Sequence, residues 1–208
     1  MAKTRIKFCG ITRSQDVQFA NNLDIYAIGL VFYPPSPRAV SISRARQLAS
    51  ESASFITRVG LFMNQDVRTI EQVLNEVDLD MLQFHGREDE AFCNSFGKPY
   101  LKSIAMGKDH DLSKATEYDS ADALLLDSNE FGQPGGSGKV FDWKKIPQQL
   151  GKPIILAGGL NPENVAEAIC KVHPFAVDVS SGIESQKGIK DESKMKKFVE
   201  AVRTADEC

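Results

Sequence analysis

The amino-acid sequence predicts an α/β fold, a single-domain (β/α)8 TIM barrel with eight parallel strands over residues 1–208. Eight short apolar runs rich in β-forming residues support this prediction, because they recur at a spacing of roughly 20–30 residues. Amphipathic helical patterns fill most of the gaps, and such alternation favours a parallel sheet. The predicted strands are residues 6–9, 26–32, 55–62, 81–85, 100–105, 123–126, 154–156 and 176–179.

The helical segments are of unequal quality. The clearest amphipathic patterns cover residues 67–77 and 195–202, and residues 44–50 and 88–96 also fit a helix. The gaps after strands 5 and 6 are poorer, because residues 111–117 are few and Pro147 interrupts the segment that starts at Asp142. An open, doubly wound sheet is the alternative, although no G-x-G-x-x-G follows the first strand.

Composition excludes several classes of protein. The 208 residues are 42% hydrophobic and 25% charged, as in an ordinary globular domain. A formal net charge of -3 gives no general attraction for nucleic acid or an anionic membrane, so neither is an expected partner. No apolar run is long enough to span a membrane, and no signal-peptide core is recognisable. We therefore expect a cytoplasmic protein, and we expect a monomer.

The cysteines and histidines indicate neither a disulfide framework nor a metal site. Four cysteines lie far apart without a Cys-x-x-Cys pair, and the three histidines are scattered. His85 alone follows a strand, and we interpret it as a packing or supporting residue. The glycine-rich residues 132–138 predict a flexible loop that closes over a site, but their spacing is not that of a Walker A motif, so ATP binding is rejected.

Residues 153–184 read as a strand, a helix and a second strand, with Asn161 as the N-cap and Pro162 in the first helical position. Both strands would end at the same sheet edge in small residues. Backbone N–H groups near a helix start favour an anion, and the loops after strands 7 and 8 are the usual phosphate site of such barrels. The alternative is two glycine-rich turns without a ligand. The predicted phosphate-binding residues are Gly158, Gly159, Ser180, Ser181 and Gly182.

Two strand ends carry groups suited to proton transfer, Cys9 and Asp127. Because strand side chains alternate between faces, Lys7 should point into the barrel with Cys9, and Asp178 should share a face with Ser180. Core packing is the alternative role for Cys9, and capping of a loop amide is the alternative for Asp127.

Arg38 follows strand 2 in a loop that prolines 34, 35 and 37 stiffen. A guanidinium held in this way suits bidentate recognition of a carboxylate. The alternative is a solvated surface arginine.

Several motifs in order give the chain a close resemblance to a known family. They are KFCGIT at 7–12, SPR at 36–38, VGLF at 59–62, QFHG at 83–86, LLLD at 124–127, GGSG at 135–138, FDW at 141–143, AGGL at 157–160 and DVSSGIE at 178–184. This set resembles the phosphoribosylanthranilate isomerases of tryptophan biosynthesis from residue 6 to about residue 191. Phe8, Phe84 and Ser137 depart from the pattern we expect.

The resemblance implies an isomerase that converts N-(5-phosphoribosyl)anthranilate to 1-(2-carboxyphenylamino)-1-deoxyribulose 5-phosphate by an Amadori rearrangement, without cofactor or metal. It implies that Cys9 is the general base and Asp127 the general acid. It also implies that Arg38 holds the substrate carboxylate and that the two glycine- and serine-rich loops hold the phosphate. The residues expected to support these groups from behind are Lys7, His85 and Asp178.

For Cys9 to act as the base and Asp127 as the acid, the site should raise the pKa of Asp127 and lower the pKa of Cys9, with Lys7 favouring the thiolate.

Three rival interpretations of the function remain. The related isomerase of histidine biosynthesis uses two aspartates and a substrate with two phosphates. The others are a non-catalytic barrel that binds a phosphorylated ligand and a thiol redox protein that uses Cys9.

Overall fold

The computed structural model describes residues 3–107, 112–128, 141–147 and 150–207, and of residues 112–114 it describes the backbone alone. Eight parallel strands form a closed barrel in sequence order. The barrel closes because β1 pairs with β8, with Lys7 beside Asp178. The predicted fold is therefore confirmed. The strands are β1 Arg5–Cys9, β2 Ala27–Val31, β3 Thr57–Phe62, β4 Met81–Phe84, β5 Tyr100–Ala105, β6 Ala123–Asp127, β7 Ile154–Leu156 and β8 Ala176–Val179.

Alternation along the strands separates two apolar layers. A large layer between barrel and helices contains fully buried aromatic rings such as Phe8, Phe84 and Phe198. Burial of each ring contributes roughly 1.5–3 kcal/mol. A smaller apolar layer, which includes Val59 and Leu125, fills the barrel interior. The side chains that continue this inner face towards the strand ends are the ones that reach the site.

Among the described residues, six α-helices cover the outside of the barrel: α1 Ser14–Ala20, α2 Ile42–Glu51, α3 Val67–Glu76, α4 Glu90–Asn94, α5 Val165–Val172 and α6 Glu192–Ala205. Four of them have a side chain that accepts a backbone N–H at the start of the helix, which satisfies an otherwise unpaired donor. These capping residues are Ser41, Asp66, Asp89 and Asp191. Short 3-10 helices, Leu112–Glu117 and Trp143–Lys145, occupy the described parts of the two gaps that the sequence marked as poor.

The start of α5 corrects the sequence prediction. Asn161 and Pro162 lie in a turn, and the helix begins at Val165. Asn161 still provides a cap, because its Oδ1 accepts the backbone N–H groups of Glu163 and Asn164 at 2.9 and 3.0 Å. Capping of a turn before the first full helical turn is the physical reason for the delayed start.

A short antiparallel ribbon, β9 Glu184–Gln186 and β10 Ile189–Lys190, follows β8 and was not predicted. The glycine-rich residues 132–138 lie outside the described part of the chain. Within the described ranges, we find no helix with the length and apolar character that a membrane crossing requires.

Candidate active site

A pocket opens where the strands of the barrel end. Four of the predicted catalytic and binding residues line it, together with His85 and Asp178, which were predicted as supporting residues. Val31, Leu61 and Met63 provide apolar walls. The polar residues that line the pocket are Cys9, Tyr33, Ser36, Arg38, Gln83, His85, Asp127, Asp178 and Ser180.

Cys9 ends β1 and is 5% exposed. Its neighbour in β2 is Gly29, where an added Cβ would lie 2.9 Å from the Cys9 sulfur and 3.3 Å from the Lys7 ammonium. The missing side chain therefore leaves room for both groups. Burial raises the pKa of the Cys9 thiol, and this effect outweighs Lys7, whose positive charge lowers it. The expected decrease in the pKa of Cys9 is wrong for the ligand-free protein, because desolvation penalises the thiolate.

Lys7 lies two residues before Cys9 in β1, on the same face of the strand. It forms a buried ion pair with Asp178, 2.7 Å from Nζ to Oδ1. Burial lowers the pKa of Lys7, but the Asp178 carboxylate and Cys9 together outweigh burial, and the net pKa is raised. Lys7 is therefore a permanent positive charge next to the thiol. Its predicted inward orientation is confirmed, because its ammonium pairs with Asp178 of the neighbouring strand β8, which lines the pocket.

Asp127 ends β6, and its Oδ2 lies 3.8 Å from Nε2 of His85 at the end of β4. Burial lowers the pKa of His85, against the opposing charge of Asp127. A neutral imidazole is therefore favoured near neutral pH. Nδ1 of His85 and Oε1 of Gln83 are buried and have no hydrogen-bond partner among the described residues, so both could bind a polar group of a ligand.

Arg38 is 6% exposed and is not a solvated surface arginine. Its Nε and Nη2 donate to the two carboxylate oxygens of Glu184, at 2.7 and 2.8 Å. Gly10, with φ +73, permits this approach, because an added Cβ would lie 2.5 Å from Cδ of Arg38. Glu184 also accepts a hydrogen bond from Lys190 at 2.9 Å. Sequence reasoning missed Glu184 and Lys190, and the only signal for Glu184 was its place in the DVSSGIE motif.

The two loops predicted to bind phosphate are in direct contact. A Cβ added at Gly182 would lie 1.9 Å from the carbonyl oxygen of Leu160, so only glycine fits. Gly158 and Gly159 both have positive φ, at 82° and 67°. Ser181 begins a short 3-10 helix, Ser181–Ile183. The structure thus brings the five predicted residues to one edge of the barrel, and of these Ser180 lines the pocket itself.

No group of three or more His, Cys, Asp or Glu side chains within the described ranges is arranged to hold a metal ion. The site is built instead from a thiol, carboxylates, one imidazole and several cationic side chains. Such a set can exchange protons with a bound molecule and attract an anionic one.

Comparison with known proteins relates this arrangement to one family. The family model described as N-(5'phosphoribosyl)anthranilate (PRA) isomerase matches residues 6–201. An N-(5'-phosphoribosyl)anthranilate isomerase of Nitrosococcus oceani is 51% identical, over 96% of this chain and 98% of the relative. Another, from Pseudomonas fluorescens, is 48% identical over 98% of this chain and 100% of the relative.

Solved structures agree with the sequence relatives. The phosphoribosyl anthranilate isomerase of Thermotoga maritima superposes with a TM-score of 0.89 and 38% identity, over 97% of this chain and 99% of that one. A phosphoribosyl anthranilate isomerase in complex with reduced 1-(o-carboxyphenylamino)-1-deoxyribulose 5-phosphate has a TM-score of 0.86 and 36% identity, with the same coverage. The sequence match extends over nearly the whole chain and the barrels superpose, and the chain therefore belongs to the N-(5'-phosphoribosyl)anthranilate isomerase family.

Proposed function

We propose that this protein converts N-(5-phosphoribosyl)anthranilate to 1-(2-carboxyphenylamino)-1-deoxyribulose 5-phosphate, with Cys9 as general base and Asp127 as general acid. The observation that carries the proposal is the convergence of Cys9, Asp127 and Arg38 on one pocket from three different strands or loops. Family membership supports the reaction class. The ligand in the related complex supports the kind of molecule that the pocket accepts.

The acid step would use Asp127. A protonated carboxyl group donates its proton to the ribose ring oxygen while the bond between C1′ and that oxygen breaks, which leaves an open-chain Schiff base. The carboxyl becomes a carboxylate in this step. His85, 3.8 Å away and favoured as neutral imidazole, adds no full positive charge that would stabilise the carboxylate before the transfer.

The base step would use Cys9. A thiolate removes the proton from C2′ of the Schiff base, the electron pair forms an enolamine, and tautomerisation gives the ketone. The raised pKa of the buried thiol in the ligand-free protein makes the thiolate scarce at neutral pH. Lys7 is the positive charge that lowers the pKa of Cys9 most, ahead of Lys190, so we propose that Lys7 assists Cys9 without contacting the substrate.

The two ends of the substrate would be held by different elements. The substrate phosphate would lie on the two glycine-rich loops, where positive φ and the missing side chains leave the backbone accessible. The anthranilate carboxylate would bind Arg38, which lines the pocket. Binding at both ends positions C1′ and C2′ between the acid and the base, which raises the effective concentration of the reacting groups.

The decisive experiment follows consumption of phosphoribosylanthranilate through loss of its fluorescence, without added metal. Wild type should turn over, and kcat of Cys9→Ser and Asp127→Asn should each fall by about 10²–10⁴-fold, the usual contribution of a general acid or base. Cys93→Ser and Asp66→Asn are matched controls, because Cys93 is buried in the outer layer and Asp66 caps α3.

Two results would contradict the proposal. Turnover that survives both substitutions would retain the reaction but remove the acid–base assignment. No turnover by folded wild type, with turnover of the two-phosphate aminoaldose of histidine biosynthesis instead, would replace the substrate.

We also propose that the protein is a cytoplasmic monomer with one domain. A related structure from Thermotoga maritima is described as monomers generated from a dimeric phosphoribosylanthranilate isomerase, at 34% identity and a TM-score of 0.85. Light scattering over a range of concentrations tests the proposed monomer, and a mass twice that of the chain would overturn the monomer.

A further inference from the structure

The ribbon that follows β8 brings a buried triad of charges to the edge of the pocket. Arg38, Glu184 and Lys190 are 6%, 7% and 2% exposed. The two carboxylate oxygens of Glu184 accept separate hydrogen bonds from Nε and Nη2 of Arg38. One of these oxygens also accepts a hydrogen bond from Nζ of Lys190 at 2.9 Å. Arg38, which lines the pocket, therefore belongs to a cluster in which two positive charges share one negative charge.

The geometry of this pairing determines which part of Arg38 can bind a ligand. A guanidinium is planar and presents two edges that each fit a carboxylate, the Nε–Nη2 edge and the Nη1–Nη2 edge. Glu184 takes the Nε–Nη2 edge. The other edge is turned away from Glu184, and it is the edge suited to a second carboxylate. Two short bonds also fix the plane of the guanidinium, so little rotamer entropy is left to lose on binding.

Lys190 supplies the charge that the pairing would otherwise cancel. Arg38 and Glu184 alone are neutral together, and a neutral pair attracts a carboxylate weakly. Besides Glu184, the Lys190 ammonium donates to the carbonyl oxygens of Cys9 and Ser180, at 2.7 and 3.0 Å. A longer contact reaches Ser180 Oγ at 3.4 Å, so all three donors of the ammonium group have acceptors. Burial lowers the pKa of Lys190 and the Glu184 carboxylate opposes this effect; with Lys190 protonated, the triad has a net charge of +1. The same ammonium connects the triad to the backbone of Cys9.

The ribbon is itself anchored to the loop after β1. Thr12 Oγ1 donates to the carbonyl oxygen of Gly188, and Arg13 Nη2 donates to the carbonyl oxygen of Lys190 at 2.9 Å. Gly188, with φ +79, lies against Pro37, because an added Cβ would be 3.0 Å from the Pro37 carbonyl oxygen. The ribbon is thus held by hydrogen bonds to the loop after β1 and by contact with Pro37, the residue before Arg38.

We propose that Glu184 and Lys190 are positioning residues that make Arg38 selective for a substrate carboxylate and align that end of the ligand with Cys9. This inference rests on the proposed function, because it assigns the carboxylated end of the substrate to Arg38. Glu184 would act on carboxylate recognition through Arg38 without contact with the substrate. Removal of Glu184 should therefore weaken carboxylate recognition and leave the rest of the ligand bound as before.

The test compares two inert product analogues by calorimetry. One is reduced 1-(o-carboxyphenylamino)-1-deoxyribulose 5-phosphate, and the other is its phenylamino counterpart without the carboxylate. Wild type should bind the carboxylated compound at least about tenfold more tightly, the effect of one charge-assisted hydrogen bond. Glu184→Gln should lose most of this preference because its affinity for the carboxylated compound falls about tenfold, while its affinity for the other stays within about twofold.

Two further variants separate a change in ligand preference from a general loss of stability. Glu184→Asp retains the charge but is too short for the planar pairing, so it should lose the preference as well. Glu88→Gln is the matched control, because Glu88 is another buried carboxylate paired with a lysine but does not contact Arg38. It should retain the wild-type preference.

The outcomes separate this inference from the function on which it rests. Equal loss of affinity for both compounds in the Glu184 variants, or an unchanged or increased preference for the carboxylated compound in them, overturns the positioning role while wild-type binding leaves the proposed function intact. A wild type that binds neither compound overturns the proposed function, and the positioning role fails with it.

Discussion

Both sides of the pocket are supported by a buried ion pair, but the two ion pairs contact different groups. We call the side that carries Cys9 and Arg38 the cysteine side, and the side that carries His85 and Asp127 the aspartate side. Each side has a buried glutamate paired with a buried lysine. On the cysteine side the glutamate binds a residue that lines the pocket. On the aspartate side it binds backbone.

The aspartate-side pair is Glu88 and Lys102, 3.0 Å apart. Glu88 also accepts the backbone N–H groups of Asn64 and Gly86, at 2.6 and 2.8 Å, and Lys102 donates to the carbonyl oxygen of Gly86 at 2.8 Å. These bonds join the loops after β3 and β4. Gly86 directly follows His85, so the pair fixes the backbone beside this residue, and the described hydrogen bonds of the pair do not include the imidazole.

The difference shows that a buried ion pair can serve stability or selectivity, depending on what else it contacts. Glu88 and Lys102 fix backbone positions, so their loss should mainly reduce the free energy of unfolding. Glu184 holds the guanidinium of Arg38, a residue that lines the pocket, and Lys190 holds Glu184, so their loss should mainly change ligand preference. Three predictions test this contrast, in order of decreasing expected effect.

Lys102→Met should destabilise the protein by about 3–5 kcal/mol, because it leaves the Glu88 carboxylate buried without its counter-ion. Urea unfolding followed by circular dichroism measures this loss. Lys171→Met is the control, since the Lys171–Glu167 pair is exposed and should contribute no more than about 1 kcal/mol. A loss from Lys102→Met no larger than that of the control would mean that the aspartate-side pair does not stabilise the fold.

Gly29→Ala should disturb the cysteine side. The added Cβ would lie 2.9 Å from the Cys9 sulfur and 3.2 Å from its Cα, so Cys9 must shift, at a cost of about 1–3 kcal/mol. Turnover should fall with stability, because the base moves away from the substrate.

Gly60→Ala is the matched control for this substitution. Its Cβ would meet Leu79 and Phe62 in the outer layer, at 2.5 and 3.1 Å. Gly60→Ala should lose comparable stability and retain turnover at a temperature where it is folded. Equal kcat in the two variants would show that the space opposite Cys9 has no role in catalysis.

Lys7→Met should raise the pKa of the Cys9 thiol further, because it removes a positive charge that favours the thiolate. The pH dependence of Cys9 alkylation, located by mass spectrometry, measures the pKa. The sign for catalysis follows directly. Thiolate is lost as pH falls, so kcat/KM should rise with pH, and in Lys7→Met this rise should move to higher pH. Lys98 donates to the Leu79 carbonyl, and Lys98→Met should leave the pKa of Cys9 and the pH dependence of kcat/KM unchanged.

The sequence predicted the barrel well because its strands are apolar runs with clear limits. The run of leucines before Asp127 required a buried strand, and its polar end required a strand terminus. Inward orientation of Lys7 and Cys9 followed from the same two-residue period. The convergence of Cys9, Arg38 and Asp127 was therefore predictable once the fold was recognised.

What the sequence did not predict depends on contacts between distant segments. The ribbon strands of two or three residues are too short for a periodic pattern, and Glu184 and Lys190 look like ordinary charged residues until Arg38 lies beside them. The direction of the pKa of Cys9 depends on a competition between burial and Lys7, which spacing alone does not settle. The delayed start of α5 depends on local hydrogen bonds of Asn161.

The ribbon also sets the point in protein synthesis at which the site can be completed. The bond from Lys190 to the Cys9 carbonyl joins residues 181 positions apart. A nascent chain that has emerged only as far as Val179 contains all eight barrel strands but neither Glu184 nor Lys190. The proposed carboxylate-selective cluster of Arg38, Glu184 and Lys190 therefore forms after the last barrel strand has left the ribosome. A product truncated at that point would retain Cys9, Arg38 and Asp127 but would lack Glu184 and Lys190.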